Sequence, residues 1–197
     1  MAEISGGYGP AIYFLIIPIF FIMNKKKIFL FAGFILIIIF IIYYVLGGLR
    51  PVEFTVISNS RYIILGQEYI GPNNSDELKN IFIETKDLLE SEFTEAILTI
   101  VNDDSKYDDE NNRVGYFIGL LVNNVPGNIP DGYIIKEFEP SNVIRARIES
   151  HNMVMPKPDK VKAEASKLAR SKGFELSEIS LEKYLGESTI EVDFLLQ

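Results

Sequence analysis

The pattern of apolar and polar positions divides the chain into two unlike parts. Residues 28–49 form a run of 22 consecutive uncharged residues, and a helix of about 20 apolar residues is what a bilayer core requires. Tyr43 and Tyr44 lie near the end of this run, where aromatic side chains commonly meet the membrane surface. The pattern therefore predicts a membrane-spanning helix over residues 28–49.

A second, shorter apolar run covers residues 8–23 and is interrupted by Pro18. We expect it to be a second span that pairs with the first as a hairpin, and an interfacial or re-entrant stretch is the alternative. No basic residue precedes this run, so a cleaved signal peptide is not expected.

Beyond residue 50, short alternating runs predict strands and two longer stripes predict helices. Ser75 is a plausible N-cap for the first helix, which carries an apolar stripe from Leu78 to Leu89. The second helix should begin at about Asp159 and end before Gly173. The predicted strands cover residues 52–57, 61–69, 96–101, 114–122, 133–138, 143–149, 180–185 and 189–196.

The predicted elements occur twice in the order β-β-α-β-β. At an offset of 81 residues, Ser60 falls on Ser141 and Glu68 on Glu149, as an internal repeat would give. The sequence therefore predicts an α+β fold, duplicated with pseudo-twofold symmetry, over residues 51–197 and a membrane anchor over residues 1–50. A groove between the two halves is the natural ligand site.

Charge and composition narrow the possible functions. Residues 1–50 carry four basic side chains and one carboxylate, a charge of +3, whereas residues 51–197 carry 15 basic and 26 acidic side chains, a charge of −11. Such an acidic domain is not expected to bind nucleic acid. With no Cys and one His, neither a disulfide framework nor a thiolate or histidine-cluster metal site is expected. No cofactor is indicated either.

Three of the basic residues, Lys25–Lys27, lie directly before the span over residues 28–49. Lysines beside a span stay on the cytoplasmic side of a membrane. The bilayer is thus an expected partner, and residues 51–197 are expected on the non-cytoplasmic side.

Glu182 is the main candidate for a functional residue. In the predicted strand over residues 180–185, alternation places Glu182 and Tyr184 on one face and Lys183 on the other. A carboxylate flanked by aromatic rings in a partly apolar groove offers one charge together with stacking and cation–π contacts. Tyr116 and Tyr69 are the further candidates for the groove, and a solvated strand carboxylate is the alternative for Glu182.

Several segments resemble the GyrI-like effector-binding domain: Arg61–Leu89, Glu139–Glu149, the helix that follows, and the end of the chain from Leu181 to Leu196. That fold is a pseudo-twofold duplication of the element order described above. The resemblance implies a groove for small molecules with the glutamate of a Glu-x-Tyr sequence at its centre, here Glu182. It also implies an alternative function, since some members hydrolyse strained electrophilic xenobiotics.

The arrangement of a membrane segment followed by this domain is similar to that of endoplasmic-reticulum-anchored autophagy receptors. A membrane-tethered adaptor with a protein partner is therefore a further alternative. Those receptors carry a long acidic tail, whereas the sequence ends at Gln197, directly after the last predicted strand.

Overall fold

The computed structural model of the protein describes residues 25–108 and 112–197, and the chain divides into two units at Val45 and Leu46. Within the described part of the first unit lies α1 (Lys25–Val45). Its large apolar side chains are exposed, for example Phe29 at 81% and Leu30 at 75%. This helix is long and apolar enough to cross a membrane. The second predicted span, residues 8–23, lies outside the described residues.

The helix ends four residues before the apolar run does. Gly47 has a φ of +82°, in the left-handed region where a helix cannot continue, and residues 46–49 form a turn. The predicted boundary at residue 49 is therefore corrected to Val45, because an uncharged run does not reveal where its glycines end a helix.

The described part of the second unit contains two helices and eight strands. The helices are α2 (Asp76–Ser91) and α3 (Pro158–Ser171). Two short 3₁₀ turns, Asp104–Lys106 and Asn152–Val154, follow the third and sixth strands. The strands are β1 (Glu53–Ser58), β2 (Tyr62–Pro72), β3 (Ile97–Asp103), β4 (Arg113–Val122), β5 (Ile134–Phe138), β6 (Asn142–Glu149), β7 (Leu176–Tyr184) and β8 (Thr189–Leu196).

All eight strands form one antiparallel sheet in the order β1-β6-β8-β7-β3-β4-β2-β5. The strand order is symmetric about the middle of the sheet. If β1, β2, β3 and β4 are exchanged with β5, β6, β7 and β8, respectively, the same order is obtained in reverse. Each half gives its first strand to the other: β1 pairs with β6, and β5 pairs with β2. The α+β class is thus confirmed, whereas the origin of the two halves by duplication stays a prediction.

Both helices of this unit pack on the same face of the sheet. From α2, Ile81 packs among Tyr69, Val114 and Ile118. From α3, Val161, Ala165 and Ala169 pack against Ile144, Val192 and Phe194. The strand registers place Ile118 and Val192 on one face through the paired residues Ile100 and Glu182. The centre of the sheet therefore lies between the two helix-covered areas.

The opposite face has its own apolar cluster, in which Ile64, Val143 and Leu181 are fully buried. Charged side chains lie beside this cluster. Lys183, Glu191 and Asp193 are buried, and they form ion pairs with one another and with Arg145 and Arg147. Paired charges of this kind are the form in which a protein tolerates ions in its interior.

Local sequence signals account for the helix ends. The Ser75 side chain accepts a hydrogen bond from the Leu78 N–H at 3.0 Å, as an N-cap does. Pro158 occupies the first turn of α3, where its missing N–H costs nothing. Gly173 follows α3 with a φ of +80°. These signals confirm the predicted start of α2 and the predicted end of α3.

Candidate functional site

Strand β7 brings Glu182 and Tyr184 to the helix-covered face at the centre of the sheet. Leu181 and Lys183 point to the other face, where both are buried. The alternation predicted from the sequence is therefore the one in the structure. Glu182 is paired with Ile100 on β3 and with Val192 on β8, so its side chain begins on the floor between α2 and α3.

The Glu182 carboxylate has two polar partners. Its Oε1 accepts a hydrogen bond from Asn102 Nδ2 at 3.0 Å, and its Oε2 accepts one from the Tyr184 hydroxyl at 3.3 Å. Burial raises the pKa of Glu182 above its ordinary value of 4.5, and these hydrogen bonds offset that rise only in part. The site therefore holds a carboxylate whose charged form is poorly solvated.

No lysine or arginine within the described residues forms an ion pair with Glu182. Each groove has one lysine in its lining, and both are already paired: Lys162 with Asp104 and Lys79 with Asp76. A half-buried carboxylate without a cationic partner is unusual, because protein interiors normally pair such charges. A ligand with positive charge would supply the missing partner.

Two adjoining grooves share Glu182, Tyr116, Asn102 and Asn73. The first groove, about 540 Å³, lies on the α3 side and is otherwise lined mainly by Asp104, Tyr107, Ile148, Met155, Pro158, Val161, Lys162, Val192 and Phe194. The second groove, about 520 Å³, lies on the α2 side and is otherwise lined mainly by Leu78, Phe82, Ile83, Ile100, Ile118 and Tyr184. Each volume is within the range of small-molecule sites.

Tyr184 forms part of the wall of the second groove. Its ring meets that of Phe82 from α2 edge-on, with centroids 6.4 Å apart and planes at 80°, a favourable aromatic geometry. Burial first, and then the neighbouring Glu182 charge, raise the pKa of the Tyr184 hydroxyl. Tyr184 therefore stays a neutral hydrogen-bond donor to Glu182.

Tyr116 lines both grooves, whereas Phe117 points to the opposite face and belongs to the apolar cluster there. The Tyr116 hydroxyl donates a hydrogen bond to Asn73 Oδ1 at 3.4 Å. Burial, followed by the Glu182 charge, raises its pKa. Tyr116 is thus the aromatic side chain that joins the two grooves.

Tyr69 lies outside the linings of both grooves. It is 3% exposed and packs in the cluster beneath α2, which also includes Tyr116. Its hydroxyl lies 2.7 Å from the Pro72 carbonyl oxygen and 2.6 Å from Ser75 Oγ. The structure therefore brings Glu182, Tyr184 and Tyr116 together, whereas the Tyr69 hydroxyl lies beside the N-cap of α2.

Sequence reasoning missed Asn102, Asn73 and Phe82. Asn102 lies on β3, where Asn is uncommon because strands favour β-branched and aromatic residues, and that exception was the available signal. Phe82 belongs to the apolar stripe of α2, in which a groove-lining side chain is indistinguishable from a core side chain.

The described residues contain no group of three or more His, Asp and Glu side chains arranged to hold a metal ion. His151 lies elsewhere, in the turn after β6, where its Nδ1 accepts a hydrogen bond from the Met153 N–H at 3.3 Å. Where the two grooves meet, the available chemistry is that of the Glu182 carboxylate, the Tyr116 hydroxyl and the amides of Asn73 and Asn102.

No protein-family model and no curated protein sequence matches the chain, but solved structures match it in fold. The EcmrR C-terminal domain is 14% identical, with a TM-score of 0.52 over 74% of this chain and 98% of that domain. The chain shares this fold. EcmrR in a complex with DNA gives a TM-score of 0.55 at 14% identity, over 88% of this chain and 68% of that one.

A hydrolase from Listeria innocua is similar as well. It is 9% identical, with a TM-score of 0.50 over 74% of this chain and 92% of that protein. At such identities the likenesses show a common fold and leave the activity of this chain to be argued from its own side chains.

Proposed function

We propose that the protein is a membrane-anchored GyrI-like domain that binds flat, apolar, neutral or cationic small molecules in the two grooves around Glu182. Residues 1–50 are the anchor and residues 51–197 the binding domain in this proposal. The fold shared with the EcmrR C-terminal domain supports it, as does the repeated strand order of the sheet.

The observation that carries the proposal is the environment of Glu182. Its carboxylate is half-buried, its hydrogen-bond partners Asn102 and Tyr184 are neutral, and burial raises its pKa. A cation that enters the groove gains an electrostatic partner in a region of reduced dielectric. The rings of Tyr116, Tyr184 and Phe82 add apolar area and cation–π contacts.

The test is binding of a cationic acridine dye to the full chain in detergent micelles, with neutral acridone as the comparison ligand. The protein has ten tyrosines and no tryptophan, so ligand-induced quenching of tyrosine fluorescence reports on binding. We expect Glu182→Gln to weaken binding of the cation about tenfold or more, equivalent to about 1.4 kcal/mol, and to leave acridone binding nearly unchanged.

Glu178→Gln is the matched control, because Glu178 lies on the same strand but is exposed. Equal dye affinity in the Glu182 variant, the Glu178 variant and the parent protein would show that Glu182 is not the ligand partner.

A second candidate function is hydrolysis of an electrophilic xenobiotic. The contact of Glu182 with the Tyr184 hydroxyl favours it, because a carboxylate of raised pKa can accept a proton from water while a tyrosine donates one to the leaving oxygen. The fold shared with a protein described as a hydrolase is compatible with this function. Turnover of a strained epoxide that is lost in Glu182→Gln and retained in Glu178→Gln would separate catalysis from binding alone.

For the anchor, we propose that α1 spans the bilayer with Lys25–Lys27 on the cytoplasmic side, which places the domain outside. Protease added to intact cells should then cleave residues 51–197. Protection of these residues in intact cells, together with cleavage after permeabilisation, would reverse the orientation.

A further inference from the structure

The chain that follows α1 is fixed to the turn after β6. The Leu46 carbonyl oxygen accepts a hydrogen bond from the His151 N–H at 2.9 Å. Arg50 forms an ion pair with Glu149 at 3.7 Å. At Gly47, a Cβ would lie 2.8 Å from the Glu149 carbonyl oxygen, so the backbones approach closely there. Leu46 and His151 therefore hold a fixed position within the second unit.

This contact limits how far the turn can be from the end of α1. Leu46 is bonded to Val45, the last residue of α1, whatever direction the helix takes. Met153 is two residues beyond His151, and an extended residue spans at most about 3.6 Å. Met153 therefore lies within roughly 10–15 Å of Leu46, the first residue after α1.

The headgroup layer on each side of a bilayer is about 5–8 Å thick, the difference between a hydrocarbon core of about 30 Å and a total of about 40–45 Å. Tyr43 and Tyr44 are residues typical of this boundary, and they lie in the last turn of α1. When α1 spans a membrane, Met153 is thus within reach of the headgroup layer.

The turn has the composition that this position requires. Met153 is 81% exposed, which makes it the most exposed large apolar side chain outside α1 in residues 25–108 and 112–197. Residues 150–158 contain no carboxylate, although the domain carries 26 acidic residues, and Lys157 adds a positive charge. An exposed thioether four residues before a lysine suits a surface that has apolar acyl chains and anionic headgroups.

We propose that residues 151–157 rest in the headgroup layer of the membrane that α1 spans, with Met153 inserted among the lipids. The proposal depends on the membrane anchor of the proposed function. Met155 and Pro156 of this segment also line the first groove, whereas Met153 lines neither groove.

The test uses the full chain in vesicles of phosphatidylcholine and phosphatidylglycerol. Because the protein has no cysteine, Met153→Cys gives a single site for a polarity-sensitive fluorophore. Ser141→Cys is the matched control: Ser141 is exposed and directly precedes β6, so it lies at the far end of that eight-residue strand, about 25 Å away. Lipids with a headgroup nitroxide serve as the quencher.

We expect a blue shift and loss of fluorescence at position 153 and little change at position 141. Leu36→Cys, within α1, distinguishes the possible failures with a mid-chain nitroxide lipid. If Leu36 is quenched and position 153 is no more quenched than position 141, the headgroup contact is wrong while the anchor stands. If Leu36 is not quenched by the mid-chain lipid, the anchor and this inference both fail.

Discussion

Arg145 and Asp193, directly paired across β6 and β8, form a two-pronged ion pair. Arg145 Nε donates to Asp193 Oδ1 at 2.7 Å and its second guanidinium nitrogen donates to Oδ2 at 2.9 Å. The side chain of Asp193 has no exposed area, and Oδ2 also accepts hydrogen bonds from the Tyr62 hydroxyl and Lys183 Nζ at 2.7 and 2.8 Å. One carboxylate thus neutralises charge and satisfies polar groups from three other strands.

Replacement of the Asp193 carboxylate should destabilise the fold strongly. Arg145 and Lys183 share two buried carboxylates, and Asp193→Asn removes the charge of the one that is fully buried. Loss of one partner of a buried ion pair typically costs about 3–5 kcal/mol. Urea unfolding of the full chain in detergent, followed by circular dichroism, measures the loss. Glu90→Gln is the control, because the exposed Lys86–Glu90 pair should contribute less than about 0.5 kcal/mol. Similar losses in both variants would contradict the assignment of Asp193 as the centre of the network.

The loss of stability at low pH should depend on protonation of the Asp193 carboxylate. Burial tends to raise the pKa of Asp193, but the Arg145 hydrogen bond and the Lys183 charge outweigh burial and hold the pKa below its usual value. A lowered folded-state pKa stabilises the fold above the unfolded pKa of about 3.9, and that stability is lost as the pH falls through the folded pKa. The unfolding free energy of the parent protein should therefore fall more steeply below pH 4 than that of Asp193→Asn.

Glu182 should affect stability in the opposite direction. Its pKa is raised in the folded state, so its contribution is most favourable below the unfolded pKa of about 4.3 and is lost as the pH rises through the folded pKa. Glu182→Gln imitates the protonated form. We expect this variant to be more stable than the parent protein at pH 7 and equal to it at pH 3, as measured by urea midpoints without ligand. If the variant is less stable than the parent protein at pH 7, the Glu182 carboxylate has favourable interactions that outweigh its burial, contrary to this prediction.

Substitution of Tyr69 and of Tyr184 by Phe should have different effects, because Tyr69 supports the fold and Tyr184 lines a groove. Tyr69→Phe removes a hydroxyl within hydrogen-bonding distance of the Pro72 carbonyl oxygen and of the N-cap Ser75, and should cost about 1 kcal/mol of stability with unchanged acridine binding. Tyr184→Phe removes a donor to Glu182 and should alter dye binding. If Tyr69→Phe weakens dye binding in a protein of normal stability, Tyr69 contributes to the site directly.

A pair of facing glycines allows β2 and β4 to approach closely. Gly66 and Gly119 are direct partners in the register, and a Cβ on Gly119 would lie 2.3 Å from the Leu65 carbonyl oxygen. Gly119→Ala should destabilise the protein by about 2–3 kcal/mol, because the strands must move apart. Gly127→Ala is the control: a Cβ there meets nothing within 4 Å and should change stability by less than about 0.5 kcal/mol. Thermal unfolding of both variants measures the difference.

Most of the local structure could be predicted from the sequence, but less of the strand pairing could be. Ser75 and Gly173 marked helix ends correctly, and alternation assigned the faces of Glu182 and Lys183, because these signals depend on neighbours along the chain. The exchange of β1 and β5 could not be predicted in this way. A period-two pattern shows that a segment is a strand and which face is apolar, but leaves its partner undetermined.

The candidate site shows the same division between local and distant information. Alternation brought Glu182 and Tyr184 to one face of the sheet. The Glu182 partner Asn102 comes from 80 residues earlier in the chain, and nothing in its own segment indicates that contact. Tyr69 and Tyr116 are cross-strand partners on the same face; the position of α2 above Tyr69, set by tertiary packing, distinguishes them.

The exchanged edge strands make the two halves of the sheet mutually dependent. A chain that ends before β5 would leave β2 without its outer neighbour, and one that begins at β5 would leave β6 without its own. An isolated half would expose a long strand edge to foreign chains. We therefore expect the domain to unfold as a single cooperative unit, and a fragment that lacks either edge strand to be unstable alone.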